Sequence, residues 1–219
     1  MTISNRRIQE PVEEPVTTDE VDNFLRGNGV LEEVDAVLLQ SMIFSAREYV
    51  EETTRQALIT QKWEMFMDAF PRTKGGLGWW DGVREGAITQ DQKGSFELPI
   101  GPLQSVDSIS TFNMANEETV FDSANYFLNT TKDPGEVILN STAIWPTFTR
   151  HRNGIRVVYN AGFGDKATDV PSPLRLAIKM LITHWYENRE YTKTQSDMNQ
   201  ATAPLHVQSM INRYKRFRL

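Results

Sequence analysis

The period of the apolar positions changes along this chain, and each change marks an element. From about Glu32 to Thr54 the run EEVDAVLLQSMIFSAREYVEETT repeats every three to four residues. Val34, Leu38, Met42 and Tyr49 form one row, and Ala36, Leu39, Ile43, Ala46 and Val50 form another. A surface helix needs only one apolar stripe, so two rows predict a helix buried on two sides. ITQKWEMFMDAF (59–70) then alternates, with Ile59, Gln61, Trp63, Met65 and Met67 opposed to Thr60, Lys62, Glu64, Phe66 and Asp68, which is a strand period. Short runs of the same kind follow: SFELPI, VDSISTFN, TVFD, YFLNT, EVILN and IRVVYN, separated by turn signals such as GP, KDPGE and NAGFGD. Past Pro171 and Pro173 the helical period returns, with Leu174, Ala177, Ile178, Leu181, Ile182 and Trp185 on one face.

The remaining stretches are punctuation. Residues 1–16 hold two prolines and little apolar material, which predicts a mobile or partner-ordered arm. Thr17 and Glu20 have capping-box spacing ahead of Val21, Phe24 and Leu25, which predicts a short helix stopped by Gly27 and Gly29. The glycine-rich stretch from 71 to 95, with Trp79 and Trp80, reads as a long exposed loop, and TKTQSDMNQATAP as a polar connector to a short helix in LHVQSMINRYKRFRL. The predicted fold is α+β: a small helical bundle with an inserted antiparallel β-domain and extended N- and C-terminal arms. Its expected divisions are an arm at 1–16, a helical part at 17–57, a β-domain at 58–165 with an exposed loop at 72–90, a core helix at 171–192 completing the helical part, and a connector and basic tail at 193–219.

Composition narrows the chemistry. With 39% hydrophobic residues, 219 residues are enough for a real core. The absence of cysteine excludes disulfides, zinc–thiolate sites and thiol nucleophiles. The N-terminal run has no apolar h-region and no apolar run approaches the roughly 18 residues of a membrane span, so a soluble, intracellular protein with no membrane contact is expected. The formal charge of −6 is uneven: residues 10–35 hold nine acidic side chains against Arg26 alone, whereas INRYKRFRL at the C-terminus holds four basic side chains and no acid. Such a basic, aromatic end suits an acidic protein surface better than nucleic acid, because four charges give weak DNA binding at physiological salt.

Two motifs invite chemistry and neither supports it. His184 and Glu187 in LITHWYENRE have the i, i+3 spacing of half a di-iron site, but the other long helix offers only Glu48, Glu51 and Glu52 and no histidine. NAGFGDKA (160–167) fits a loose dinucleotide fingerprint, yet TDVPSP postpones the helix that would carry the phosphate. The expectation is no catalytic residue, no metal and no cofactor. A hydrolase using carboxylates of the β-domain has nothing specific behind it.

Three stretches carry a resemblance. SAREYVEETTRQALITQKWEMFMDAFP, ELPIGPLQSVDSI and IRVVYNAGFGDKATDVPSPLRLAIKMLITHWYENRE, in this order, resemble the head-tail connector (adaptor, head-completion) proteins of long-tailed phages and gene transfer agents, over roughly residues 17–192. The resemblance implies a structural virion protein, not an enzyme, made in the host cytoplasm and placed at the neck. It implies a ring of twelve copies on the portal protein that helps retain packaged DNA, lines the exit channel without sequence-specific binding, and seats a stopper or tail-terminator protein. LITHWYENRE becomes a packing helix. Portal docking falls on the tail, with Arg213, Tyr214, Lys215, Arg216, Phe217, Arg218 and Leu219 as candidates. Leu39, Ile43 and Val50 become candidates for the subunit interface, since a ring needs two different faces per copy. The alternative is a nucleic-acid-binding protein that grips DNA with the same basic tail.

Overall fold

A computed structural model describes residues 3–25, 33–70, 79–80, 83–84, 94–147, 149–187 and 203–216. The chain divides into two compact units, Met1–Glu10 with Gln61–Ala161, and Pro11–Thr60 with Gly162–Leu219. It passes from one to the other at 10/11, 60/61 and 161/162, where the sequence reading placed boundaries at 57/58 and 165.

The first unit is β-rich. Strands β1 (Ile3–Gln9), β2 (Gln61–Met67), β6 (Leu103–Phe112), β7 (Glu118–Phe121) and β10 (Ile155–Ala161) form an antiparallel sheet in the order β1-β2-β10-β6-β7. A second sheet has the order β5-β9-β8, from Ser95–Glu97, Glu136–Leu139 and Tyr126–Asn129. Two short strands, β3 (Trp79–Trp80) and β4 (Val83–Arg84), pair with each other, and the rest of the loop expected at 72–90 lies outside the described residues.

The alternation read in 59–70 is the register of the large sheet. Gln61, Trp63, Met65 and Met67 stand opposite Ala161, Tyr159, Val157 and Ile155 on the core face, and Lys62, Glu64 and Phe66 stand opposite Asn160, Val158 and Arg156 on the other. The second face is polar and tied across strands by Arg6–Glu64, by Lys62–Asp107 at 2.7 Å and by Arg156–Glu118 at 3.3 Å, the pattern of a sheet with one wet side. On the dry side Trp145 stacks on Phe70 at 4.2 Å between ring centroids, with Phe121 at 5.2 Å and Phe96 at 5.7 Å. Its indole N–H donates to the Gly94 carbonyl, so the polar atom of this buried ring is satisfied.

The N-terminal arm needs a correction. Expected as a mobile or partner-ordered arm, residues 3–9 instead form the edge strand β1 within the chain's own sheet, paired with β2 from Ile3↔Met67 to Gln9↔Lys62. Its sequence has little to bury, and it is held by backbone pairing, by Arg6–Glu64 and by Arg7 stacked over Trp63.

The second unit holds helices α1 (Thr18–Phe24), α2 (Glu33–Thr54), α3 (Ser172–Glu187) and α4 (Leu205–Asn212) around one core. α1 starts as predicted, with Thr17 Oγ1 accepting from the Glu20 N–H, but the other half of the box is diverted. The Glu20 carboxylate takes a forked bond from Arg175 at 2.7 and 2.9 Å and an ion pair from Lys179 at 3.0 Å, both on α3. In α2 the row Leu39, Ile43, Ala46 and Val50 is fully buried, whereas Leu38, Met42 and Tyr49 are half-buried. Leu39, Ile43 and Val50 share one cluster with Leu174, Ile178, Leu181 and Ile182 of α3 and Val207 and Ile211 of α4. Packing inside their own unit leaves these three, the residues expected at a subunit interface, 0–2% exposed. On α2 it is Val37 and Phe44 that face outward, at 65% and 42%.

Candidate functional site

The tail is built on α4. Val207, Ile211 and Tyr214 recur at i, i+4 and i+7, which gives an otherwise polar segment one apolar stripe. Val207 and Ile211 are buried and Tyr214 packs partly buried against the same core. Pro204 sets the entry to the helix, where its missing N–H costs nothing, and the Gln208 side chain returns to the Ala203 carbonyl. Beyond the helix the Arg216 N–H donates to the Thr54 carbonyl at 3.2 Å.

That bond reaches the C-terminal end of α2, where the last carbonyls have no partner within the helix itself. The last turn of α2 holds no basic residue and closes where Arg55 turns into the left-handed region at φ 59°. Terminal carbonyls carry the negative end of the helix dipole, so donors and cations are favoured there. The tail supplies a donor from 162 residues away in sequence, Thr54 to Arg216.

The docking candidates therefore separate. Arg213 and Lys215 are exposed, Tyr214 and Arg216 are turned inward as part of the fold, and Phe217, Arg218 and Leu219 lie outside the described residues. The outward basic pair sits on a segment fixed by buried side chains, which is the preorganised arrangement a charged docking edge needs.

A second feature of this unit escapes sequence reading. Arg47 is fully buried, its Nε donating to Glu14 at 2.9 Å and its Nη1 to Glu51 at 2.9 Å, with the guanidinium 4.7 Å from the Phe44 ring centroid. The other Glu51 oxygen accepts from the Leu58 N–H at 2.9 Å. One guanidinium thus joins the segment before α1, the body of α2 and the turn after it. The i, i+4 spacing of Arg47 and Glu51 was a visible signal, but the tie to Glu14 is set by tertiary folding.

The two motifs with possible chemistry resolve as packing. The loop after β10 passes against residues 58–60, with Phe163 N–H donating to Leu58 and Thr60 N–H to Gly164. Gly162 has φ +150°, and a Cβ there would lie 2.6 Å from the Thr60 nitrogen, so glycine serves the close approach of backbone to backbone. α3 starts only at Ser172. In LITHWYENRE, Trp185 meets Tyr49 edge-on at 6.3 Å, His184 is half-buried and Glu187 is exposed. Among the described residues no group of three or more His, Asp or Glu side chains is placed to hold a metal ion, and no helix is long and apolar enough to cross a membrane.

Residues 147–215 match the family model of the phage gp6-like head-tail connector protein, a span that takes in β10, α3 and α4. No curated protein matches the chain. Among solved structures, a chain in the neck of an empty gene transfer agent particle, with C6 symmetry, has a TM-score of 0.71 at 19% identity, covering 99% of this chain and 97% of that one. A chain of the native gene transfer agent virion gives 0.66 at 18%, and one in the native neck with C12 symmetry gives 0.61 at 20%, each covering 97% of both chains. The likeness in fold runs the length of the chain, and the likeness in sequence falls on its C-terminal third. Both agree with the resemblance to head-tail connectors carried by the sequence.

Proposed function

We propose that this chain is a head-tail connector, a structural subunit of the neck of a phage or gene transfer agent particle, with no catalytic role. The observation that carries the reading is the coincidence of two independent likenesses, a connector family match over β10 to α4 and a neck-protein fold over nearly every residue. In this reading copies of the chain close into a ring at the head-tail junction of the virion. The ring sits on the portal protein, seats a stopper or tail-terminator protein, and lets double-stranded DNA pass without reading its sequence.

The exposed pair Arg213 and Lys215 is the docking edge toward the portal, held in place by Tyr214 and Arg216. The acidic balance of the whole chain suits a conduit, since like charge does not trap a moving duplex.

The test is the mass of the purified chain alone and after mixing with the portal ring of its own particle, by native mass spectrometry or light scattering. Stoichiometric addition of copies to the portal is expected, and R213E/K215E is expected to weaken it by at least tenfold while leaving the fold intact. A chain that ignores the portal but binds duplex DNA with a steep loss at high salt would move the function to nucleic-acid binding.

A further inference from the structure

Strand β1 is tied to the rest of the chain in an unusual way. It belongs to the β-unit, yet the residue after Glu10 belongs to the helical unit, so only non-covalent pairing with β2 holds it in its sheet. None of its seven residues is fully buried, and Ile8 is 44% exposed. The connector that follows, EPVEEPV, is anchored on the helical side, with Val16 buried, Glu14 on Arg47 and the Pro15 carbonyl accepting from Arg175. A strand with no buried side chain is at the low end of local stability and is released cheaply.

The edge it covers is different in kind. Without β1, the ladder groups of β2 lose their partners, Glu64, 5% exposed, loses Arg6, and Gln61, 1% exposed, loses Arg7. That edge requires a strand, and one carrying basic residues opposite Glu64. We infer that in the ring β1 is exchanged, the basic strand of each copy pairing with β2 of its neighbour in the register Ile3↔Met67 to Gln9↔Lys62. The inference rests on the connector reading, because only a closed ring lets every copy give one strand and receive one, leaving no edge bare. Adjacent copies in a ring also present their strands at high effective concentration, which lets exchange compete with pairing inside one copy.

The chain has no cysteine, so introduced pairs report without background. Ser4 stands opposite Phe66 in the register, and opposed residues of an antiparallel pair lie within disulfide reach. In S4C/F66C the free chain should cross-link only within itself, whereas rings formed on the portal and then oxidised should give a ladder of covalent multimers on a non-reducing gel. Rings of full mass that yield only internally linked chains, or no link, would overturn the exchange and leave the connector reading standing. Failure to form rings, read separately from the mass, would overturn both. Because Phe66 is half-buried, a second test uses the Arg6–Glu64 pair. R6E and E64R should each assemble poorly alone and well when mixed, because the mixture restores opposite charges only between copies. If each copy keeps its own strand, mixing rescues nothing.

Discussion

At the scale of single residues, the helical unit depends on a few charges placed where charges are costly. Arg47 sits on the buried side of α2 between Ala46 and Val50, and it is tolerated there because Glu14 and Glu51 both face it. Removing one partner of a buried pair leaves the other uncompensated, so R47A should lower unfolding stability by about 3–5 kcal/mol, read from urea denaturation. Glu20 gives the pH signature. Burial pushes its carboxyl up, but the hydrogen bond and charge of Lys179 and the charge of Arg175 outweigh this and hold it below the ordinary 4.5. A depressed carboxylate adds stability that is fully present above its unfolded value and is lost as pH falls through the folded one. E20Q should therefore be less stable than the parent at pH 7, with the difference closing below about pH 4 in acid-unfolding curves. The apolar rows of α2 and α3 were legible because they repeat. Glu14 as a partner of Arg47, and Arg175 as a partner of Glu20, were not, since those pairs join residues with no local relation in the sequence.

Among the elements, those with a strong period were readable and those held by pairing were not. The alternation of 59–70 gave β2 to within a few residues, since the same residues face the core opposite β10. β1 escaped because ISNRRIQ alternates nothing and owes its conformation to the free edge of β2. α4 was visible as a short helix, but its packing was not. The tail is part of the core, because Val207 and Ile211 are buried beside α2 and α3. Deleting residues 204–219 should thus cost about 2–5 kcal/mol, the range for one or two large core side chains, and should expose apolar surface that binds ANS. Any loss of portal binding on that deletion would be ambiguous, which is why charge reversal at Arg213 and Lys215 is the cleaner variant.

For the whole molecule, the order helical, β, helical was legible because the period changes once and then returns. The division into units was less so, since residues 3–9 join a sheet whose other strands begin about fifty residues later. One feature of that division reaches beyond assembly. Gln61, where the chain enters the sheet, is paired with Ala161, where it leaves, and Thr60 and Gly164 are bonded just outside. Opposed residues of such a pair are about 5 Å apart, the span of a tight turn. The helical unit is therefore nearly closed upon itself without the residues between. A chain of residues 11–60 and 162–219 joined by Asn-Gly should keep its helical circular dichroism and unfold cooperatively. Read as history, the segment 61–161 is a cassette whose two covalent ends occupy the site of a single hairpin, so its length can change while the bundle keeps its fold.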